Sequence, residues 1–126
     1  MSFNWELYIH LADELISYQE NADLREAHLR SAISRGYYGI FCIARNHLVA
    51  KNTSIPRFDT HKFVREEYQK LPRNVEKKIG KNLRRLSKER NDADYENDAD
   101  INVSRAKTAL DLSKRTLEKL RQIGAV

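Results

Sequence analysis

The stretch that decides the fold is Glu26–Leu48, EAHLRSAISRGYYGIFCIARNHL. Apolar residues recur along it at helical spacing in one stripe: Leu29, Ile33, Tyr37, Ile40, Ala44 and Leu48. The run Gly36–Ala44 contains no charge, so this helix is apolar on nearly every side and lies either at the centre of a core or at a subunit interface. Gly36 and Gly39 cost up to about 1 kcal/mol each relative to alanine, which predicts the close approach of another helix.

The same periodicity predicts four further helices around this central one, which itself covers about residues 22–51. The first covers residues 3–20, and its expected inward stripe is Phe3, Leu7, Leu11 and Leu15. The third begins at Asp59 or Thr60 and ends near Lys70, and the fourth covers residues 73–94. The fifth begins at Asn102 or Ser104. Short connections then predict a single all-α domain over residues 1–126, an up-and-down bundle of four to five helices.

Length and composition exclude several classes of protein. The 126 residues suffice for one domain, and six glycines and prolines are too few for the turns of a sandwich or barrel. A single cysteine, Cys42, excludes an internal disulfide, and we expect neither a metal site nor a cofactor, since glycine-rich phosphate loops are also missing. Without a long apolar run or a signal peptide, the expectation is a cytoplasmic protein with no membrane contact.

The charge is polarised along the fourth predicted helix. Residues 73–90 hold eight basic and two acidic residues, a net charge of +6, whereas residues 91–100 hold five acidic residues and no basic one. The acidic run does not match an EF-hand, because the required glycine and final glutamate are missing, so we interpret it as a solvated, capping loop. Four basic residues share an outward face of the helix: Lys77, Lys81, Arg84 and Lys88.

Arg90 lies instead on the apolar stripe of the fourth helix, four residues beyond Leu86 and seven beyond Leu83. A guanidinium on an inward stripe needs an anionic partner or a cleft. Two interpretations follow: an intrahelical ion pair with Asp94, or a groove in which Arg90 meets a phosphate or a partner's carboxylate. His61 is interpreted as a capping or surface residue at the start of the third helix.

Two segments carry a resemblance to a known family. The first is Ser34-Arg35-Gly36-Tyr37-Tyr38 within the central helix, and the second is ERNDADY, Glu89–Tyr95. In this order and separation they resemble the SRxYY and RxxADY marks of the HEPN-domain family, in its small stand-alone prokaryotic branch. The resemblance covers roughly residues 5–120. It implies a helical bundle that often forms a homodimer and acts as a metal-independent ribonuclease, a toxin of a toxin–antitoxin pair, or a non-catalytic RNA- or nucleotide-binding module.

The resemblance also implies site residues and partners. The family's motif arginine matches Arg90 and its polar neighbour matches Asn91, but the motif histidine has no counterpart, since no histidine follows His61. Asp94 and Tyr95 stand in that region, and their ordinary pKa values lie far from neutrality, which disfavours acid–base catalysis. Many small members pair with a minimal nucleotidyltransferase, which is therefore an expected partner.

The leading hypothesis is an RNA- or nucleotide-binding module with a degenerate catalytic motif, and a homodimer is expected. Its expected ligand-binding residues are Arg35, Tyr38, Lys81, Arg84, Lys88, Arg90 and Asn91. One alternative is a metal-independent ribonuclease that uses Arg90 with Asp94 or Tyr95, and another is a pure protein-interaction subunit with an acidic partner. Tyr37 and Tyr38 are either core aromatics or, with Tyr95, platforms for unpaired bases. Arg35 is also interpreted as a surface residue or as a structural partner of the acidic stretch around Asp94.

Overall fold

Five α-helices and one 3-10 turn make up the secondary structure of residues 2–18 and 20–126, the part of the chain that the computed structural model describes. The helices are α1 (Glu6–Ser17), α2 (Arg25–Ala50), α3 (Thr60–Lys70), α4 (Asn74–Tyr95) and α5 (Val103–Gln122), and the 3-10 turn is Ala22–Leu24. This part of the chain contains no strand, which confirms the all-α class. Met1 of the predicted domain and Gln19 of the predicted first helix lie outside the described residues.

The central position predicted for α2 is confirmed. It packs against α1, α3, α4 and α5, and every residue from Gly36 to Ala44 is buried except the half-buried Tyr38. The glycines allow these contacts, because a Cβ added at Gly39 would lie 3.0 Å from the Trp5 carbonyl oxygen and one added at Gly36 would lie 3.2 Å from Ser113 Oγ. The helices that approach are therefore α1 and α5 of the same chain, and the glycine face of α2 is not available to a second copy.

The inward stripe predicted for α1 is wrong. Phe3, Leu7 and Leu11 are exposed, whereas the buried residues of α1 are Ile9, Ala12 and Ile16. Two apolar stripes lie next to each other on this helix, and periodicity alone does not say which of them faces the core. Packing against α2 decides which stripe faces the core. The small side chain of Ala12 fits against the backbone of Gly36, since a Cβ added at Gly36 would lie 3.9 Å from the Ala12 Cβ.

The junction between α4 and α5 is held by two arginines, one at the start of α5 and one on α2. Arg105 of α5 pairs with Glu89 and Asp92, with its Nε and Nη2 atoms each 2.7 Å from a carboxylate oxygen. Arg30 of α2 donates to the carbonyl oxygens of Asp92 and Ala93 at the end of α4, at 3.2 Å and 3.0 Å. The Asp92 carbonyl also accepts from the Glu96 amide at 3.1 Å, and both carbonyls lie at the negative end of the helix dipole, so a cation there stabilises the end of α4.

Within residues 2–18 and 20–126, none of the helices combines the length and the apolarity needed to cross a bilayer.

Candidate functional site: a basic groove beside α4

A groove with a volume of about 660 Å³ opens between α2, the start of α3 and the C-terminal half of α4. It continues along α4 into a second cavity of about 320 Å³ that shares Arg65, Ser87 and Arg90 with the first. We call the two together the basic groove. Its lining residues are Phe41, Arg45, Asp59, Thr60, His61, Lys62, Arg65, Arg84, Ser87, Lys88, Arg90 and Asn91. Six of these are cationic and only Asp59 is a carboxylate, so the groove attracts anions.

Arg90 pairs with Asp94, as one interpretation predicted, and it also lines a groove, while the anionic ligand of the other interpretation stays a prediction. Its side chain is only 14% exposed, it lies 3.9 Å from the Asp94 carboxylate, and it also lines the basic groove. The guanidinium carbon lies 5.4 Å from the ring centre of Tyr37 and 5.6 Å from that of Tyr38. These electron-rich faces replace part of the hydration that burial removes. The Nε atom is buried without a hydrogen-bond partner in the described chain, so the pairing of this cation is incomplete.

Tyr38 lies between two guanidiniums, since Arg35 approaches its ring at 5.7 Å while also lying 5.3 Å from the ring of Tyr8. Arg35 is thus a half-buried packing residue on the α1 side of α2 and is not among the residues that line the groove. The interpretation of Arg35 as a partner of the acidic stretch is wrong. That role belongs to Arg30 and to Ser34, whose hydroxyl donates to Asp94 at 3.3 Å.

His61 lies in the wall of the groove, and its interpretation as a capping or surface residue is wrong. Its ring stacks on Phe41 with the ring centres 4.0 Å apart, and its Nδ1 atom is 2.5 Å from the Tyr37 hydroxyl. Its Nε2 atom has no hydrogen-bond partner in the described part of the chain and is not buried, so it faces the groove. The fold therefore places an imidazole near Arg90, although the two residues belong to different helices.

Burial and the surrounding cations keep this imidazole neutral. Burial lowers the pKa of His61 below its ordinary value, and the charges of Arg90, Arg65 and Arg45 lower this pKa further. Burial also raises the pKa of Tyr37 to about 12, against the opposing effects of the Ser87 hydroxyl and Arg90. The phenol therefore stays protonated. Either neutral tautomer of His61 keeps the hydrogen bond to Tyr37, so Nε2 can donate a proton to an anion or accept one from a hydroxyl.

The other predicted site residues divide into two groups. Arg84, Lys88 and Asn91 line the basic groove with Arg90, whereas Lys81 is exposed on α4 and is not part of the lining. Neither Asp94 nor Tyr95 lines the groove. The Asp94 carboxylate is engaged by Ser34 and Arg90, and Tyr95 is 67% exposed at the last residue of α4.

The sequence pattern did not predict the groove cations Arg45, Lys62 and Arg65 or the groove imidazole of His61 as site residues. Each lies on a helix other than α4, and only the packing of α2 and α3 against α4 brings them to Arg90. One signal was present in the sequence, since Tyr37, Phe41 and Arg45 follow one another at intervals of four on α2 and so share one face. No three His, Cys, Asp or Glu side chains within residues 2–18 and 20–126 come together as ligands for a metal ion.

We expect NMR titration of the His61 ring to give a pKa below the ordinary 6.5 and to give a higher value in the Arg65→Gln variant. Removing one nearby cation makes protonation easier, while burial and the remaining arginines are retained. The matched control is Arg115→Gln, an equal charge change at an exposed position of α5 outside the basic groove. A His61 pKa that responds equally to both variants would contradict the placement of this ring among the groove cations.

Searches against protein-family models, curated proteins and solved structures find no match to this chain. The resemblance to the HEPN-domain family therefore rests on the two motifs described above. The basic groove is described from this chain's own residues.

Proposed function

We propose that this chain is a HEPN-like module that binds single-stranded RNA through the basic groove. The observation that carries the proposal is the groove's charge: six cations surround a single carboxylate. A homodimer and a nucleotidyltransferase partner, both implied by the resemblance, remain predictions of the same proposal.

Most of the groove's positive charge is free for a ligand. Within the described residues, four of the six cations make no ion pair: Arg45, Lys62, Arg65 and Arg84. The Lys88 pair with Asp92 is exposed and long, at 3.4 Å, and contributes little stability. A phosphate backbone that entered the groove would release condensed counterions at each contact, which is the main source of affinity in nucleic-acid binding.

Aromatic side chains favour a single strand over a duplex. Phe41 and His61 stack in the groove wall, and Phe58, in the loop before α3, is 85% exposed. Phe58 directly precedes Asp59, which lines the groove. Unpaired bases stack on exposed aromatic rings, whereas the bases of a duplex are already stacked on each other. Tyr37 and Tyr38, by contrast, face Arg90 and His61 and serve as packing aromatics.

The ribonuclease alternative is favoured by one observation, the position of His61. The neutral imidazole of His61 supplies a base for attack by a 2′-hydroxyl. The nearby guanidinium of Arg90 supplies a positive charge that stabilises the phosphorane-like transition state. In this version His61 takes the role that the sequence analysis gave to Asp94 or Tyr95. The low pKa of His61 leaves little imidazolium to act as the acid, so we keep binding as the leading function.

We expect the double variant Arg65→Gln/Arg84→Gln to bind a fluorescein-labelled single-stranded RNA about tenfold or more weakly than the unmodified chain, as measured by anisotropy at low salt. The slope of log K against log salt should also decrease by about 0.7 for each lost phosphate contact. The control, Arg115→Gln/Lys119→Gln, removes the same charge from α5, outside the basic groove. Equal loss in both double variants would mean that net charge, not the groove, attracts RNA.

Phe58→Ala should weaken the binding of single-stranded RNA by about tenfold, and Phe58→Trp should restore it, because stacking contributes about 1–3 kcal/mol per base. Oligonucleotides with abasic sites provide the matched ligand, since they keep the phosphates and lack the bases. Their affinity should not change in Phe58→Ala. If Phe58→Ala lowers the affinity for intact and abasic strands equally, Phe58 has no stacking role.

Incubation of the purified protein with RNA in EDTA should leave the RNA intact, since the groove offers a base without a matched acid. Gel analysis of the products checks this expectation. Cleavage by the unmodified chain that disappears in His61→Gln, with RNA affinity retained, would establish the ribonuclease in place of the binding module.

A further inference from the structure

A second groove runs along the opposite side of α4, between α4 and α5. It consists of two cavities of about 310 Å³ and 240 Å³ that share Arg85 and Leu112. We call this surface the α4–α5 groove. Its lining residues are Lys78, Asn82, Arg85, Lys88, Glu89, Arg105, Thr108, Ala109, Leu112, Arg115 and Lys119. Lys88 is the one residue that lines both this groove and the basic groove.

The charge of the α4–α5 groove is graded along its length. At one end, Arg105 is neutralised by Glu89 and Asp92. At the other end are four cations without an ion pair among the described residues: Lys78, Arg85, Arg115 and Lys119. No carboxylate lines that end, so it is complementary to a concentrated negative charge.

The spacing of the lining residues is that of two facing helical stripes. On α4 the residues Lys78, Asn82 and Arg85 are separated by four and three positions, and on α5 Leu112 and Arg115 continue to Lys119 by three and four. Two such ridges leave a groove of the kind into which another helix packs. The groove extends about 16 Å from residue 78 to residue 89, roughly three helical turns.

The floor and the rim differ in polarity. Ala109 and Leu112 lie at the floor but belong to the core, at 4% and 5% exposed, so the accessible apolar surface comes mainly from the aliphatic stems of the cationic side chains around them. None of the lining residues is aromatic, so unpaired bases would find no stacking partner here, unlike in the basic groove. This combination is complementary to a helix with apolar residues on one face and carboxylates beside them.

We propose that the α4–α5 groove is a docking site for an acidic amphipathic helix of a protein partner. The helix lays apolar side chains against the aliphatic stems that surround Ala109 and Leu112, and it pairs its carboxylates with Arg85, Arg115 and Lys119. The site borders the basic groove at the shared Lys88, and one chain binds RNA on one side of α4 and an acidic protein segment on the other.

Adjacent arginines on α4 provide the matched pair of variants. Arg84 lines the basic groove and Arg85 lines the α4–α5 groove, and both side chains are exposed. The probe is a labelled helical peptide of about 15 residues with glutamates and leucines on one face. The same peptide with glutamine in place of each glutamate is its control. Arg85→Glu should weaken binding of the acidic peptide on the order of tenfold at low salt, and Arg84→Glu should leave it nearly unchanged.

Amide chemical-shift changes should map the bound peptide to the facing sides of α4 and α5. Single-stranded RNA should give the reverse pattern: its affinity should fall in Arg84→Glu and be retained in Arg85→Glu. Any of three results would overturn the proposal: no binding of the acidic peptide, equal binding of its glutamine control, or equal loss in the two arginine variants. A fourth would assign the groove to nucleic acid: RNA that shifts the α4–α5 residues and competes with the peptide.

Discussion

The guanidinium of Arg90 is a charge that the fold buries without fully pairing it. It faces Tyr37 and Tyr38, stands at a long 3.9 Å from Asp94, and leaves its Nε atom without a partner among the described residues. An unpaired buried charge is costly, and here the aromatic faces and an open groove offset that cost. Burial lowers the pKa of His61, and the charge of Arg90 lowers this pKa further together with those of Arg65 and Arg45.

The two sides of α2 explain how this arrangement is held. On one side, Gly36 and Gly39 lack a Cβ atom, and α5 and α1 occupy the space that this atom would need. On the other side, Tyr37 and Phe41 present rings to His61 and Arg90. The close packing of the glycine side fixes the position of the aromatic side. A rigid central helix is therefore what makes the groove geometry specific, since its other walls come from α3 and α4.

Much of the fold follows from periodicity, because a helix that buries one face repeats its apolar residues every three or four positions. The bounds of α3 and α4 and the cap at Asn102, whose side chain accepts from the Arg105 amide at 2.8 Å, could be predicted in this way. The inward side of α1 could not, since two apolar stripes compete and only the space beside Gly36 decides between them.

The site was less predictable than the fold for a related reason. The position of Arg90 on an apolar stripe is a local property of α4, so the sequence shows it. The approach of His61 is not local, because it depends on how α3 packs across α2 and α4. The contact at the end of α4 is made by Arg30 and not by Arg35 for the same reason: five positions along a helix change the facing direction by about 140°, and only the packed structure shows which arginine reaches that end.

The strong polarisation of the fourth helix follows from its place between two grooves. Arg84 and Arg85, neighbours in sequence and about 100° apart around the helix, line different grooves, so the basic run gives two cationic surfaces that meet at Lys88. The acidic residues that follow lie where α4 ends, and Arg30 and Arg105 neutralise part of that end. Exposed Glu96 and Asp98 remain just beyond it and repel any polyanion that extends past Arg90. The potential along α4 is therefore positive at its sides and negative just beyond its C-terminus, a polarity that any anionic ligand of the proposed groove would meet.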